Sequence, residues 1–182
     1  MSGTLYIPSF HQEKNVWEVF ERKMDKLFES LPTVGKGGEC IVISNDARKL
    51  PIPDGCIDYI FVDPPFGGNI FYADGSLLWE GWLGQFTDET KEMVFNRQRF
   101  QDEHFKTLED YEVGMKTAFT EMFRVLKSGR WCTVEFNNSD GAVFDAIKRS
   151  ITTAGFEISN MLLLDKTQKS FKQVKGASGG EA

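Results

Sequence analysis

Apolar residues recur along this chain with two different periods, and the alternation of the two predicts its elements. Val16, Trp17, Val19, Phe20, Met24, Leu27, Phe28 and Leu31 recur at helical spacing, with Asn15 placed as an N-cap and Pro32 just past the end. A Gly-rich turn follows at 33–38, and the run 39–44 (Glu-Cys-Ile-Val-Ile-Ser) reads as a buried strand. The stretch 45–55, with two prolines and Asp54-Gly55, connects it to a second apolar strand over 57–62.

That strand stops abruptly at Asp63-Pro64-Pro65-Phe66. Two prolines cannot continue a strand, because each lacks an N–H and holds φ near −65°, and each pushes the residue before it toward extended geometry. The motif therefore presents a carboxylate, unpaired carbonyls and an aromatic ring together at a strand's carboxyl end, where open α/β sheets place their ligands.

Beyond Phe66 the periodicity is lost over about 67–108, a segment expected to fold as an irregular lid packed by its aromatic residues, Trp79 and Trp82 among them. Regularity returns near Glu109. A helix is predicted through Leu126, ending at Ser128-Gly129 in the manner of a glycine C′ residue, then a strand at 131–136. A further helix is predicted at 141–154, ending at Gly155, and a strand at 156–164; the Gly/Ser-rich tail 176–182 is expected to be mobile. Strands alternating with helices imply an α/β domain over 1–175 with a mainly parallel sheet and right-handed crossovers. In that arrangement the Asp63 loop lies beside the loops after Ser44 and Phe136.

Composition narrows the chemistry. A chain of 182 residues with 41% hydrophobic content suits one domain with its own core. No apolar run reaches the roughly 18–20 residues of a membrane span and the first residues lack a secretory pattern, so a soluble cytosolic protein with no membrane partner is expected. Cys40, Cys56 and Cys132 have no CxxC spacing and His11 and His104 are the only histidines, which argues against a disulfide framework, a metal site and Ser-His-Asp catalysis. The last 18 residues carry four lysines against Asp165 and Glu181, so the preceding 164 hold −8 within the net −6. A body this acidic is not by itself a duplex-DNA clamp, since that affinity comes largely from cations on phosphates.

Asp63-Pro64-Pro65-Phe66 at the end of an apolar strand resembles the signature of the S-adenosylmethionine-dependent amino methyltransferases of DNA, which methylate adenine N6 or cytosine N4. The approach Asn45-Asp46-Ala47-Arg48-Lys49-Leu50-Pro51 and the helix end Phe123-Arg124-Val125-Leu126-Lys127-Ser128-Gly129 resemble the same family and class I methyltransferases more widely. Gly67-Gly68-Asn69-Ile70, Trp79-Glu80 and Asn96-Arg97-Gln98-Arg99 look like a subgroup of large DNA methylases. The resemblance covers roughly 40–165. It implies a Rossmann-like sheet with helices on both faces, S-adenosylmethionine as cofactor and DNA as partner.

It further implies that the Asp63 side chain and the Pro64 carbonyl accept the two hydrogens of an exocyclic amine. This turns the nitrogen lone pair out of conjugation and toward a methyl sulfonium. The target base would leave the duplex and stack on Phe66. Asp46 would meet the cofactor; Asn69, Arg97, Arg99, Lys169 and Lys172 would meet substrate or phosphates. Each residue also has an ordinary structural role open to it: Asp63 as a turn cap, Phe66 as core, Asp46 and the cations as solvated surface. Relatives with Asn-Pro-Pro-Tyr methylate RNA bases or protein glutamine by the same logic, and a non-catalytic nucleic-acid-binding module with this half-sheet is a further alternative.

The chain departs from the family at the cofactor. The usual Phe-x-Gly-x-Gly loop after a first strand has no counterpart, since Gly35-Lys36-Gly37-Gly38 precedes a strand. The expectation is a catalytic half lacking the first two strands, whose cofactor-binding portion lies elsewhere in the same polypeptide and which binds S-adenosylmethionine weakly or not at all alone.

Overall fold

The computed structural model describes residues 15–31, 38–68, 71–95 and 106–162. The first predicted helix forms as α1 (Val16–Ser30), with the Asn15 side chain accepting from the Trp17 N–H at 3.0 Å. None of its residues is buried, so its apolar face is open.

Two strands form, β1 (Ile57–Val62) and β2 (Leu126–Val134), paired in parallel. Between them run α2 (Tyr72–Leu83), a single 3₁₀ turn (Glu89–Lys91) and α3 (Leu108–Val125); α4 (Gly141–Thr153) follows β2. This is a mixed α/β arrangement, as the alternating pattern implies. Tyr59, Ile60, Phe61 and Val62 stand opposite Trp131, Cys132, Thr133 and Val134. That register gives the sheet one apolar face toward the helices, where Ile60, Val62 and Val134 meet the core. Its other face carries exposed Tyr59, Phe61 and Trp131.

Helix α3 is the centre of the packing. Its start is fixed by a reciprocal capping box: Thr107 Oγ1 accepts from the Asp110 N–H at 3.1 Å, and the Thr107 N–H donates to Asp110 Oδ2 at 2.8 Å. Tyr111, Met115, Ala118, Phe119 and Met122 form its buried face, against Val143 and Ile147 of α4. A two-toothed ion pair, Arg149 to Glu112 at 2.7 and 2.8 Å, ties the helices at the rim.

Four expectations are corrected. The run 39–44 is not a strand but an exposed irregular segment, with Ile41 81% and Val42 92% exposed. Likewise 156–162 forms no strand, and 163–164 lie outside the described residues. In both cases apolar β-formers are present, but a strand exists only when a neighbour takes its N–H and C=O groups. The lid region is not wholly irregular, since α2 occupies much of it and ends at Gly84 with φ +67°. Trp79 and Trp82 do not pack it. They are 73% and 91% exposed, because the apolar residues of α2 are spread around its axis and only Ala73 is buried.

The fourth correction concerns the end of α3. It does not terminate on Gly129 but passes at Leu126 straight into β2. Ile57 pairs with Leu126 and Tyr59 with Trp131, so 127–130 bulge out of the ladder, with Gly129 at φ +72° turning the excursion. The Gly55 and Cys56 N–H groups donate to the carbonyls of Arg124 and Val125, both at 2.9 Å, which hold the helix end against the entry to β1.

Candidate functional site

Parallel pairing puts the carboxyl ends of β1 and β2 side by side, so the Asp-Pro-Pro-Phe loop and the loop after Phe136 are neighbours, as the motif's position implies. The Glu135 N–H donating to Val62 O at 2.9 Å extends the pairing to the last residue before Asp63. Asp63 is exposed and Pro64 buried. Among the described residues nothing bonds the Asp63 carboxylate and no donor reaches the Pro64 carbonyl.

The next two carbonyls are engaged. Tyr111 Oη donates to Pro65 O at 2.6 Å, and Asn138 Nδ2 donates to Phe66 O at 2.9 Å. Asn138 is itself oriented by its own Oδ1, which accepts from the Asp140 N–H at 2.8 Å. Burial pushes the Tyr111 phenol well above its ordinary value, partly offset by the Gly67 N–H. The shift favours the O–H form that donates to Pro65 O.

Phe66 is half-buried, its ring edge-on to Phe136 at 5.6 Å. It belongs partly to the core under the loop and partly to the surface around Asp63. Gly67 closes the loop at φ +74°, where an added Cβ would lie 2.8 Å from Phe95 Cε1, 2.9 Å from Val143 Cγ1 and 3.3 Å from Asn138 Nδ2.

Tyr72, in the first turn of α2, approaches the loop from the other side. Burial raises its phenol, the Phe66 N–H opposes that shift and the negative charge of Asp63 adds to it. Glu92 secures this start of α2, one carboxylate oxygen accepting from the Tyr72 N–H and from the Ala73 N–H at 3.2 Å. Burial raises the Glu92 carboxyl and those N–H groups oppose it. Lys106 Nζ in turn donates to the carbonyls of Glu89, at 3.1 Å, and Glu92.

The cofactor-binding expectation finds little support in the geometry. Both oxygens of Asp46 are taken by Arg48, at 2.9 Å from Nε and 2.8 Å from Nη2, and that side-chain bond holds the carboxyl below its ordinary range. Gly38 opens an exposed irregular segment. The glycines that do follow a strand, Gly67 and Gly68, lead to a helix whose first N–H groups Glu92 already fills. The described residues thus do not build a cradle for S-adenosylmethionine. Nor does any group of three His, Cys, Asp or Glu among them stand ready for a metal ion.

Asn69, Arg97, Arg99, Lys169 and Lys172 lie outside the described residues. Tyr111 and Asn138 were not singled out by the sequence pattern. Tyr111 reads as one more apolar-face position of α3, and Asn138 as loop; only the signal that Asn138 follows the end of a parallel strand marks it. No helix of the described residues is long and apolar enough to cross a membrane. Compared with known proteins, the chain matches no family model, no curated protein and no solved structure.

Proposed function

We propose that this chain receives an exocyclic amine at Asp63 and Pro64, as the acceptor half of a methyl transfer to adenine N6 or cytosine N4 of DNA. One observation carries the reading: at the end of β1 neither the Asp63 carboxylate nor the Pro64 carbonyl is engaged by any of the described residues, while the two carbonyls after them are held. Two acceptors on adjacent residues suit a group that offers two hydrogens from one nitrogen. A conjugated amine is a poor nucleophile, and fixing both hydrogens by preorganised acceptors localises its lone pair without any covalent intermediate.

Phe66 supports the ring of such a base from the side of the loop, a kind of stacking worth about 1–3 kcal/mol. A base in a duplex must be extruded to reach Asp63, at a cost of a few kcal/mol. S-adenosylmethionine supplies the methyl group in the family this motif resembles. Because the described residues do not fit it, the role assigned to this chain is amine reception within a Rossmann-like unit.

The test needs no methyl donor. Nitrogen-15-labelled protein is titrated with adenosine and inosine, which differ at the exocyclic amine, and with cytidine and uridine, observing the Phe66 and Gly67 amides. An amine nucleoside is expected to shift them and its oxo counterpart to bind at least fivefold more weakly, a difference lost in Asp63→Ala. Equal binding of both members of each pair would overturn the proposal. Calorimetry with S-adenosylmethionine is expected to give weak or no binding to residues 1–182, and tight binding would contradict the incomplete donor site.

A further inference from the structure

Two polar side chains, Tyr111 buried in the core and Asn138 half-buried at its edge, are aimed at the same short loop from elements far apart in the chain. Tyr111 is only 1% exposed and sits in the first turn of α3, yet its hydroxyl leaves the helix to donate to Pro65 O at 2.6 Å. Asn138 comes from the loop between β2 and α4, with one end of its amide on Phe66 O at 2.9 Å and the other on the Asp140 N–H at 2.8 Å. Asp140 in turn caps α4 by accepting from the Ala142 N–H at 2.9 Å, so the Asn138 amide is referenced to a helix start.

The consequence follows from proline geometry. The Pro64 carbonyl belongs to the planar Pro64–Pro65 peptide unit, and the ring of Pro65 fixes the next φ. Once the Pro65 carbonyl is anchored, that plane has little freedom left, and anchoring the Phe66 carbonyl removes most of the remainder. Phe95 bounds the loop as well: its ring lies edge-on to Tyr111 at 5.9 Å and directly against Gly67.

We propose that Tyr111 and Asn138 are positioning residues that hold the Pro64 carbonyl at the angle at which it and Asp63 can share one amine; this rests on the amine-reception reading above. Neither side chain touches the amine. Their effect is to take up the two carbonyls that would otherwise compete for its hydrogens and to stiffen the one that accepts.

Tyr111→Phe and Asn138→Asp test this: each keeps the side chain's shape, the first removing the donor to Pro65 O and the second replacing the donor to Phe66 O with a carboxylate oxygen that cannot donate. Asn138→Asp also keeps the acceptor that serves the Asp140 N–H. The probes are again adenosine with inosine and cytidine with uridine, titrated against the full 182-residue chain. The amine nucleoside that binds wild type is expected to bind each variant about five- to tenfold more weakly, the scale of one lost hydrogen bond. Its oxo counterpart is expected to change by less than twofold. A loss that falls equally on both members of the pair would indicate a merely structural role and overturn the proposal. Unchanged amine binding in both variants overturns it as well, while loss in Asp63→Ala alone leaves amine reception standing without the clamp. A wild type that fails to discriminate either pair removes both. If Tyr111→Phe does not fold, Asn138→Asp decides by the same criteria.

Discussion

Replacing Gly67 by alanine tests the loop's construction most sharply, because two separate penalties meet at one residue. The first is conformational: Gly67 has φ +74°, where a Cβ crowds the following carbonyl at a cost of about 1–2 kcal/mol. The second is packing. The new methyl would stand 2.8 Å from Phe95 Cε1 and 2.9 Å from Val143 Cγ1, well inside ordinary contact distance. Neither neighbour can easily retreat, since Phe95 is 5% exposed and edge-on to Tyr111, and Val143 is 1% exposed in the α3–α4 core. Overpacking of this kind costs about 1–3 kcal/mol. The two together predict a loss of about 2–5 kcal/mol.

The same chain carries its own controls. Gly84 shares the left-handed backbone, at φ +67°, but a Cβ there meets nothing within 4 Å, so Gly84→Ala isolates the conformational cost. Gly141, at the start of α4, has neither feature, and Gly141→Ala should be neutral or stabilising by up to about 0.5–1 kcal/mol. Urea unfolding followed by far-UV circular dichroism, compared at constant slope, gives the three differences. The order expected is Gly67→Ala well below Gly84→Ala, and Gly84→Ala below Gly141→Ala. Equal midpoints for Gly67→Ala and Gly84→Ala would show that Phe95 and Val143 do not press on the loop, and the account of its rigidity would fail with them.

Two further outcomes follow from electrostatics and burial. Glu121 is drawn from its ordinary 4.5 to about 2, chiefly by Arg124 and then by the Leu50 N–H, while Arg124 also holds the Leu50 and Ile52 carbonyls and Asp54. A depressed folded value means that its stabilisation is complete above pH 4.5 and is lost as pH falls toward 2. Glu121→Gln should therefore be less stable than wild type at pH 7, with the gap closing across that window; a pH-independent gap in urea midpoints would refute the assignment. Cys132 lies half-buried in β2 and burial raises its thiol to about 11, whereas Cys40 and Cys56 are exposed. With an alkylating reagent at pH 8, mass mapping should find Cys132 modified at least tenfold more slowly than the other two, and equal rates would contradict its burial.

What the sequence disclosed and what it hid divide along a physical line. The strand over 57–62 and its stop were legible because proline acts on its own φ and on its immediate neighbour, an effect confined to adjacent residues. Helices α1, α3 and α4 were legible because a helix satisfies its own backbone and shows its apolar face every three or four residues, whether that face is buried, as in α3 and α4, or open, as in α1. The runs 39–44 and 156–162 were misjudged because a strand is a property of a pair, and apolar β-formers do not name their partner. Tyr111 and Asn138 were hidden for a related reason. Their carbonyl targets lie 46 and 72 residues away in sequence, and only folding brings α3 and the β2–α4 loop to Pro65 and Phe66.

The same line separates the two halves of the proposed chemistry. Among the described residues the Asp63 loop is oriented by Tyr111 from α3, Asn138 referenced to the start of α4, Phe95 beneath Gly67, and β2 alongside β1. The proposed acceptor site is oriented by contacts within the described residues, so its preference for an amine should survive without a methyl donor present. The segments that would have to support a donor site are in the opposite condition. Ile41, Val42 and Ile43 are exposed, and Asp46 is occupied by Arg48. Under the proposed reading amine recognition is separable from methyl donation, and for that reason a nucleoside titration tests the reading more directly than an assay of methyl transfer.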